Sequence, residues 1–210
     1  MTKGPDAPLR ELMQAIVAGD ETAVKKMLAA SAGLATAPIR EGATRQDAQS
    51  HFVEAIGRYT VAGDTALHIA AAGYREAMVR QLIEAGADAF AKNRHGAMPL
   101  HAAAAGNPGS VHWNPQAQDA TIRTLVAAGA DPNGTDKRGV APLHIAVRTR
   151  CAAAVRTLLA CGADAERPNK SGSTALTLAR LTTGRGGSGS ADAKAQQREI
   201  IELLTARKRT

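Results

Sequence analysis

One short segment recurs four times along the chain, and this internal repeat constrains the possible fold more than any other feature of the sequence. The four copies are GDTALHIAAAG from Gly63, GAMPLHAAAAG from Gly96, GVAPLHIAVRT from Gly139 and GSTALTLARLT from Gly172. Their central leucines are Leu67, Leu100, Leu143 and Leu176. These leucines are separated by 33, 43 and 33 residues. A fixed period of this length is typical of stacked helical units, none of which can bury its apolar face alone.

Two further marks recur in register with the central leucines. A Gly-Ala-Asp marker follows the first three copies, as EAGADAF at 84–90, AAGADPN at 127–133 and ACGADAE at 160–166. An amide or carboxylate residue stands seven positions before three of the leucines, at Asn93, Asp136 and Asn169. The pattern resembles the ankyrin repeat, and its Ala- and Arg-rich composition with long inserts is similar to that of bacterial ankyrin proteins. The resemblance implies an all-α solenoid whose units each comprise a β-turn finger and two antiparallel helices.

An earlier, more divergent copy fits the same spacing when Leu12 is taken as its central leucine. The resemblance therefore predicts a single domain of five units, at about 8–33, 60–92, 93–135, 136–168 and 169–207. In the last unit Thr177 replaces the usual histidine, as expected of a terminal cap. Tyr74 and Arg150 replace the small residue that often precedes the second helix.

Three insertions interrupt the repeat, at about 34–59, 106–117 and 184–196. The second adds ten residues and the third twelve, both between the two helices of a unit, so we expect them about 20 Å apart on one edge of the stack. The first lies in the finger region, and we expect it on the opposite edge. Its segment RQDAQSHFVEAIGRY could form a short helix with Phe52, Val53 and Ile56 on one side and Tyr59 beyond.

Charge and cysteine content narrow the functional classes. The formal net charge of +7 favours acidic partners, although it does not determine the fold. The sequence shows no apolar leader and no run of about 18 apolar residues, which predicts neither a signal peptide nor a transmembrane helix. Cys151 and Cys161 would lie about 15 Å apart on one helix, too far for a disulfide. Free thiols of this kind indicate a cytoplasmic protein.

Histidines offer the only recurrent candidate for chemistry, at positions 68, 101 and 144. Stacked units would hold them about 10 Å apart, too far to share a metal ion. The resemblance implies that each imidazole instead hydrogen-bonds a neighbouring turn. His51 and His112 lie in insertions without a nucleophile or carboxylate at a motif spacing, and we interpret them as surface residues. We therefore predict no enzyme, no metal and no cofactor.

The predicted finger tips carry a ladder of cations. Its members are Lys92, Arg94, Lys137, Arg138, Arg167 and Lys170. Three interpretations are open: a solvated edge, a site for an acidic protein surface, or a nucleic-acid site. Only Phe90, at the base of the ladder, could contribute base stacking, which makes nucleic acid the least favoured. The segment GRGGSGS at 184–190, with Arg185, could form an anion-binding nest or a flexible loop.

Trp113 is the only tryptophan and lies between prolines in the second insertion. It could anchor a partner or fold back to brace its own loop. In the ankyrin family the concave face of fingers and first helices binds other proteins. The resemblance implies that this face would present Ala71, Ala72, Ala104, Ala105, Val147 and Arg148 here.

We therefore predict a monomeric interaction module that binds an acidic, partly apolar protein. The predicted contact residues are Phe90, Lys92, Arg94, Trp113, Lys137, Arg138, Arg148 and Lys170. The alternative is a sensor of a small anion or ligand, which would use the paired insertion loops around Trp113 and Arg185.

Overall fold

Helices dominate residues 6–108, 113–181 and 191–206, which are the parts of the chain that the computed structural model describes. Ten helices form five consecutive pairs: α1 (Ala7–Ala18) with α2 (Glu21–Ala30), α4 (Ala66–Ala72) with α5 (Glu76–Glu84), α6 (Pro99–Ala104) with α7 (Pro115–Ala127), α8 (Pro142–Arg148) with α9 (Ala152–Ala160), and α10 (Ala175–Arg180) with α11 (Ala191–Ala206). One further helix, α3 (Gly33–Thr36), follows the first pair. The five-unit all-α solenoid is thus confirmed.

The pairs stack into two layers. The first helices pack against one another in the order α1, α4, α6, α8 and α10, and the second helices pack in the order α2, α5, α7, α9 and α11. We call the first layer the inner helices and the second the outer helices. The central leucines Leu67, Leu100 and Leu143 are fully buried between the layers, as is Leu12 of the divergent first unit. The repeat therefore marks the core positions.

The fingers of the third, fourth and fifth units are turns closed by the same type of contact. In the fourth unit, Oδ1 of Asp136 accepts hydrogen bonds from the backbone N–H groups of Arg138 and Val140, at 2.8 and 2.9 Å. Asn93 and Asn169 accept the same pair of bonds in their own units. Gly139 lies at a φ of 72°, which a side chain would strain. This explains why an Asx residue and a glycine recur at fixed spacing.

The first insertion forms a small hairpin, and the prediction of a helix there is wrong. Strand β1 (Phe52–Val53) pairs antiparallel with strand β2 (Arg58–Tyr59). Short 3-10 turns, Gln49–His51 and Glu54–Ile56, precede and follow β1. Gly57 takes a left-handed φ of 57° between the strands. The rings of Phe52 and Tyr59 face each other with centroids 4.8 Å apart. This cross-strand aromatic contact favours the hairpin over the helical alternative.

The second and third insertions lengthen outer helices as well as the turns before them. Helix α7 has 13 residues and α11 has 16, whereas α5 and α9 have 9 each. Leu204 rather than Leu203 is the fully buried counterpart of Leu125. The third insertion therefore adds thirteen residues, not twelve. Residues 109–112 and 182–190, and with them His112 and the predicted nest at Arg185, lie outside the described residues.

Candidate functional site

The segment from residue 37 to residue 60 is here called the strap. Its first residues are hydrogen-bonded to the finger of the second unit. The backbone N–H of Ile39 donates to the carbonyl of Asp64 at 2.7 Å, and the N–H of Gly63 donates back to Ile39 at 2.8 Å. The N–H of Ala43 donates to the Thr60 carbonyl at 2.8 Å. Both ends of the strap thus lie against the finger edge.

A buried ion pair locks the strap to the same finger. The guanidinium of Arg58 donates to both carboxylate oxygens of Asp64, at 3.0 and 3.1 Å. The Asp64 side chain is completely buried, and it also accepts hydrogen bonds from the Val61 N–H and the Asn93 side-chain amide. A buried carboxylate requires such partners, since an unpaired charge there would be costly.

Between these anchors the strap crosses the inner helices. A cavity of about 480 Å³ separates it from α1 and α4, with Met13 and Ile69 on the helices and Phe52 on the strap. At the far side, Ile56 lies against Gly73, just after α4. The sequence predicted that the first insertion stays on the finger edge. In the structure it instead leaves that edge and lies over α1 and α4, the inner helices of the first two units.

The effect of the strap is visible at one repeat position, two residues after each central leucine. Ile69 and Ala102 are buried there, Ile145 and Leu178 are only half-buried, and Gln14 of the first unit is exposed. At this position the inner-helix face is therefore buried in the second and third units and, in the described part of the chain, partly exposed in the fourth and fifth.

The prediction of an apolar groove on this face is mostly wrong, because most of its apolar residues are not accessible. Ala71, Ala104 and Val147 are buried in the core, because they pack between the two helix layers. Ala72 and Ala105 are half-buried, and Arg148 is exposed.

Trp113 folds back onto its own unit through its indole N–H. Nε1 donates to Oε1 of Gln118 at 2.9 Å. Gln118 is fully buried, and its side-chain amide donates to the Ala103 carbonyl at 2.8 Å. The Cys151 thiol donates to the same Gln118 oxygen at 2.9 Å. Trp113 thus braces the second insertion through its hydrogen bond to Gln118.

The half-buried ring of Trp113 also lines a cavity of about 870 Å³. The strap forms the opposite wall of this cavity with Glu54 and Ile56, and Tyr74 and Ala105 lie between the two walls. The hydroxyl of Tyr74 donates to the carbonyl of Ala105. The cavity therefore lies between two insertions that were expected on opposite edges of the stack.

The finger tips form the predicted ladder, here called the basic ridge and comprising Lys92, Arg94, Lys137, Arg138, Arg167 and Lys170. All six side chains are exposed. Backbone bonds hold the fingers in register: Arg94 N–H donates to Ala62, Lys137 N–H to His95 and Lys170 N–H to Arg138, at 2.8 to 3.0 Å. The ridge is thus a continuous edge of the stack.

The ridge keeps most of its positive charge unpaired among the described residues. Arg138 alone forms a salt bridge, with Asp136 at 3.2 Å. At the tip of the third finger, partial burial and the neighbouring Arg94 and Arg138 lower the pKa of His95. Burial is the largest cause of this shift, and the neighbouring cations act in the same direction.

Acidic residues are absent from the sequence stretches that build this edge. No Asp or Glu occurs within 89–118, 137–163 or 167–191. The acidic residues between those stretches are Asp119, Asp131, Asp136, Asp164 and Glu166. Of these, only Asp136 belongs to a finger, and its side chain is buried. This segregation could have been read from the sequence and strengthens the ridge as a site for negative charge.

The eight predicted contact residues do not come together in one site. Phe90 lies within van der Waals distance of Gly129, directly after outer helix α7. Trp113 precedes the same helix, whose 13 residues separate its ends by about 20 Å. Lys92, Arg94, Lys137, Arg138 and Lys170 form the ridge, and Arg148 ends inner helix α8.

The histidine column has the predicted structural role. His68 accepts a hydrogen bond from the Thr65 N–H at Nδ1, and its Nε2 donates to the Ala97 carbonyl in the next finger, at 3.1 Å each. His101 and His144 make the corresponding contacts. Burial lowers the pKa of all three, to about 4 for His68. They are therefore neutral donors that join adjacent units.

Other candidates for chemistry are isolated in the described part of the chain. No group of three or more His, Cys, Asp or Glu residues there could hold a metal ion. Both cysteines are free thiols, as expected, and burial raises the pKa of each. The side chain of His51 is 10 % exposed, so its prediction as a surface residue is wrong. Among the described helices, none has the length and apolarity needed to cross a bilayer.

Comparison with known proteins identifies the repeat independently. A family model of three ankyrin repeat copies matches residues 12–113. A second model, of many ankyrin repeat copies, matches residues 125–179. No curated protein matches the chain.

Proposed function

Because the chain belongs to the ankyrin repeat family, we propose that it is a non-catalytic module that binds an acidic, partly apolar protein through its fingers and inner helices. Ankyrin repeats are generally protein–protein interaction modules, and the family assignment supports this general role. The acidic partner and the binding face are specific to this proposal. We further propose that the protein is a monomer in a reducing compartment such as the cytoplasm, where its two thiols would remain free.

The basic ridge is the observation that carries the proposal. Successive fingers place exposed cations at a spacing of about 10 Å, fixed by backbone hydrogen bonds between the fingers. A rigid row of charge raises the association rate with a complementary surface and fixes its register. The proposed contact residues are those of the ridge together with Arg148. Trp113 and Phe90 lie at other places on the stack and are left out.

The test is affinity capture from cells of the source, with the captured proteins quantified by mass spectrometry. The double variant Lys137→Glu/Lys170→Glu should lose the partner at least about tenfold, because two attractive contacts become repulsive. The matched control is Lys25→Glu/Lys26→Glu on outer helix α2, where both lysines are also exposed. Equal capture by the two double variants would exclude the ridge as the binding surface.

A second candidate function uses the cavity at Trp113. Its volume of about 870 Å³ lies within the range of small-molecule sites, and it is lined by the only tryptophan of the chain. A small-ligand sensor would therefore report binding through Trp113 fluorescence. Titration with nucleotides and phosphorylated metabolites tests this alternative. An unchanged emission spectrum across the panel, with Trp113→Phe as the blank, would dismiss it.

A further inference from the structure

The second unit cannot offer its inner-helix face to a partner, because the strap already occupies it. Ile69 is fully buried beneath the strap, and Ile56 of the strap lies against Gly73 at the end of α4. The ion pair of Arg58 with the buried Asp64 holds the strap in place. A partner that approached this face would have to displace these contacts.

In the described part of the chain, the fourth and fifth units present the same face without a cover. Ile145 and Leu178 are half-buried there, and Leu181, directly after α10, is 54 % exposed. Leu181 and Arg148 stand five residues after their central leucines, so they occupy the same repeat position on neighbouring units. Ile145, Leu178 and Leu181 therefore form an apolar strip across the fourth and fifth units, and Arg148 lies beside it.

Positive charge surrounds this strip on both sides. The fingers contribute Lys137, Arg138 and Lys170, and the last turns of the inner helices contribute Arg148 and Arg180. No acidic residue occurs within 137–163 or 167–191. The carboxylate within these fingers, Asp136, already accepts from two backbone N–H groups and from Arg138. Glu166 directly precedes Arg167 at the base of the last finger.

We infer that the interaction surface is confined to the fourth and fifth units, and that it takes an extended acidic segment with apolar side chains. The inference rests on the proposed function and specifies its surface and ligand. Adjacent units lie about 10 Å apart, and an extended chain rises about 3.3 Å per residue. A segment that crosses the units therefore matches the cations when it carries a carboxylate at about every third residue. Leucine or a similar side chain between the carboxylates packs on Ile145, Leu178 and Leu181.

The test measures binding of three fluorescein-labelled nonapeptides to the full chain by anisotropy at low salt. The first peptide has three repeats of Glu-Glu-Leu, the second has Glu-Glu-Gly and the third has Gln-Gln-Leu. The first should bind at least about tenfold more tightly than either of the others, because it alone offers both charge and apolar surface. A single-stranded DNA oligonucleotide of equal charge serves as the nucleic-acid comparison.

Two matched pairs of variants locate the surface. Leu181→Ser should weaken binding of the Glu-Glu-Leu peptide about fivefold, whereas Phe90→Ser should leave it within about twofold. The two side chains are equally exposed, at 54 % and 51 %, but Phe90 lies on the outer side next to Gly129. Lys137→Glu/Lys170→Glu should weaken binding at least about tenfold, and Lys25→Glu/Lys26→Glu should have little effect.

The outcomes separate this inference from the broader proposal. If the Glu-Glu-Gly peptide binds as tightly as the Glu-Glu-Leu peptide, or if Leu181→Ser and Phe90→Ser have equal effects, the apolar strip is overturned while an acidic partner stands. If neither acidic peptide binds more tightly than the Gln-Gln-Leu peptide, or if the oligonucleotide binds most tightly, the acidic protein partner fails as well. Circular dichroism of each variant shows that a loss of binding is not a loss of fold.

Discussion

The covered second unit and the open fifth unit differ in what surrounds the same repeat position. Ile69 and Leu178 both follow their central leucines by two residues, yet Ile69 is fully buried and Leu178 is half-buried. The strap accounts for the difference, since it lines two cavities together with residues of α1 and α4, whereas no residue of α8 or α10 lines either cavity. An insertion can therefore bury a surface position of a repeat protein without any change in the repeat sequence itself.

Two arginine–aspartate pairs show the same contrast in their electrostatics. Arg58 pairs with a fully buried Asp64, and the arginine itself is 23 % exposed. Asp136 is also buried, but its partner Arg138 has a side chain that is 69 % exposed, so water reaches the cation. Loss of the cation should therefore cost much more in the first half, because water cannot replace it there.

The largest expected effect is that of Arg58→Ala, which should lower the free energy of unfolding by about 3 kcal/mol, because Asp64 would keep a buried charge without its cation. The matched change in the open half, Arg138→Ala, should cost less than about 1 kcal/mol. Urea-induced unfolding, followed by circular dichroism, measures both. Similar losses in the two variants would show that the strap does not shield its ion pair from water.

A second comparison uses two glutamines at the same repeat position. Gln118→Ala should destabilise the protein by about 2 kcal/mol, because it leaves the buried Ala103 carbonyl and the Trp113 indole N–H without their partner. Gln197→Ala should cost about 1 kcal/mol, because the half-buried Gln197 donates only to the Ala179 carbonyl among the described contacts. Urea unfolding gives the stabilities. Trp113 emission should shift in the first variant and stay unchanged in the second.

The third prediction concerns pH. Burial lowers the pKa of His68 to about 4, from an ordinary value of 6.5, because the charged imidazolium would lose its hydration there, and the nearby Arg58 acts in the same direction. The unfolded chain therefore binds the proton first as the pH falls. The contribution of His68 to stability is fully present above pH 6.5 and is lost progressively as the pH falls to about 4.

The comparison is between the wild-type protein and His68→Gln, in urea unfolding at pH 7.5, 6.5 and 5.5. Between pH 6.5 and 5.5 the wild type should lose about 1 kcal/mol more than the variant. Above pH 7 the two stability curves should run parallel. Parallel curves at every pH would mean that His68 titrates alike in the folded and unfolded chains. The fifth unit has Thr177 at this position and contributes no such loss.

The smallest expected effect distinguishes two residues with left-handed backbones, Tyr74 at φ 54° and Arg150 at φ 55°. Arg150→Gly should stabilise the protein by about 0.5 kcal/mol, because relief of the strained backbone outweighs the added freedom of the unfolded chain. It also removes a buried guanidinium nitrogen that has no partner. Tyr74→Gly should instead destabilise the protein, because the hydroxyl contact with Ala105 is lost. Thermal unfolding of the two variants should shift the midpoint in opposite directions.

Much of the fold could be predicted because the residues that cap helices, close turns and fill the core recur at the same positions in each unit. Thr65 and Thr174 cap inner helices, Asn93 and Asp136 close fingers, and the central leucines of the first four units are buried, all at positions given by the spacing. The candidate ridge followed from the same spacing. The inner-face residues failed as predictions because periodicity locates a residue on a helix but does not say which layer covers it.

The sequence by itself determined the period, the number of units, the buried leucines, the histidine bridges and the charge of the finger tips. These features depend on contacts within a unit or between neighbouring units, so they recur at fixed spacing. Only the tertiary structure decided the path of the strap, the meeting of two insertions at Trp113 and the restriction of the open face to the last two units. These depend on single long-range contacts, such as Arg58 with Asp64 and Ile56 with Gly73, which no period repeats.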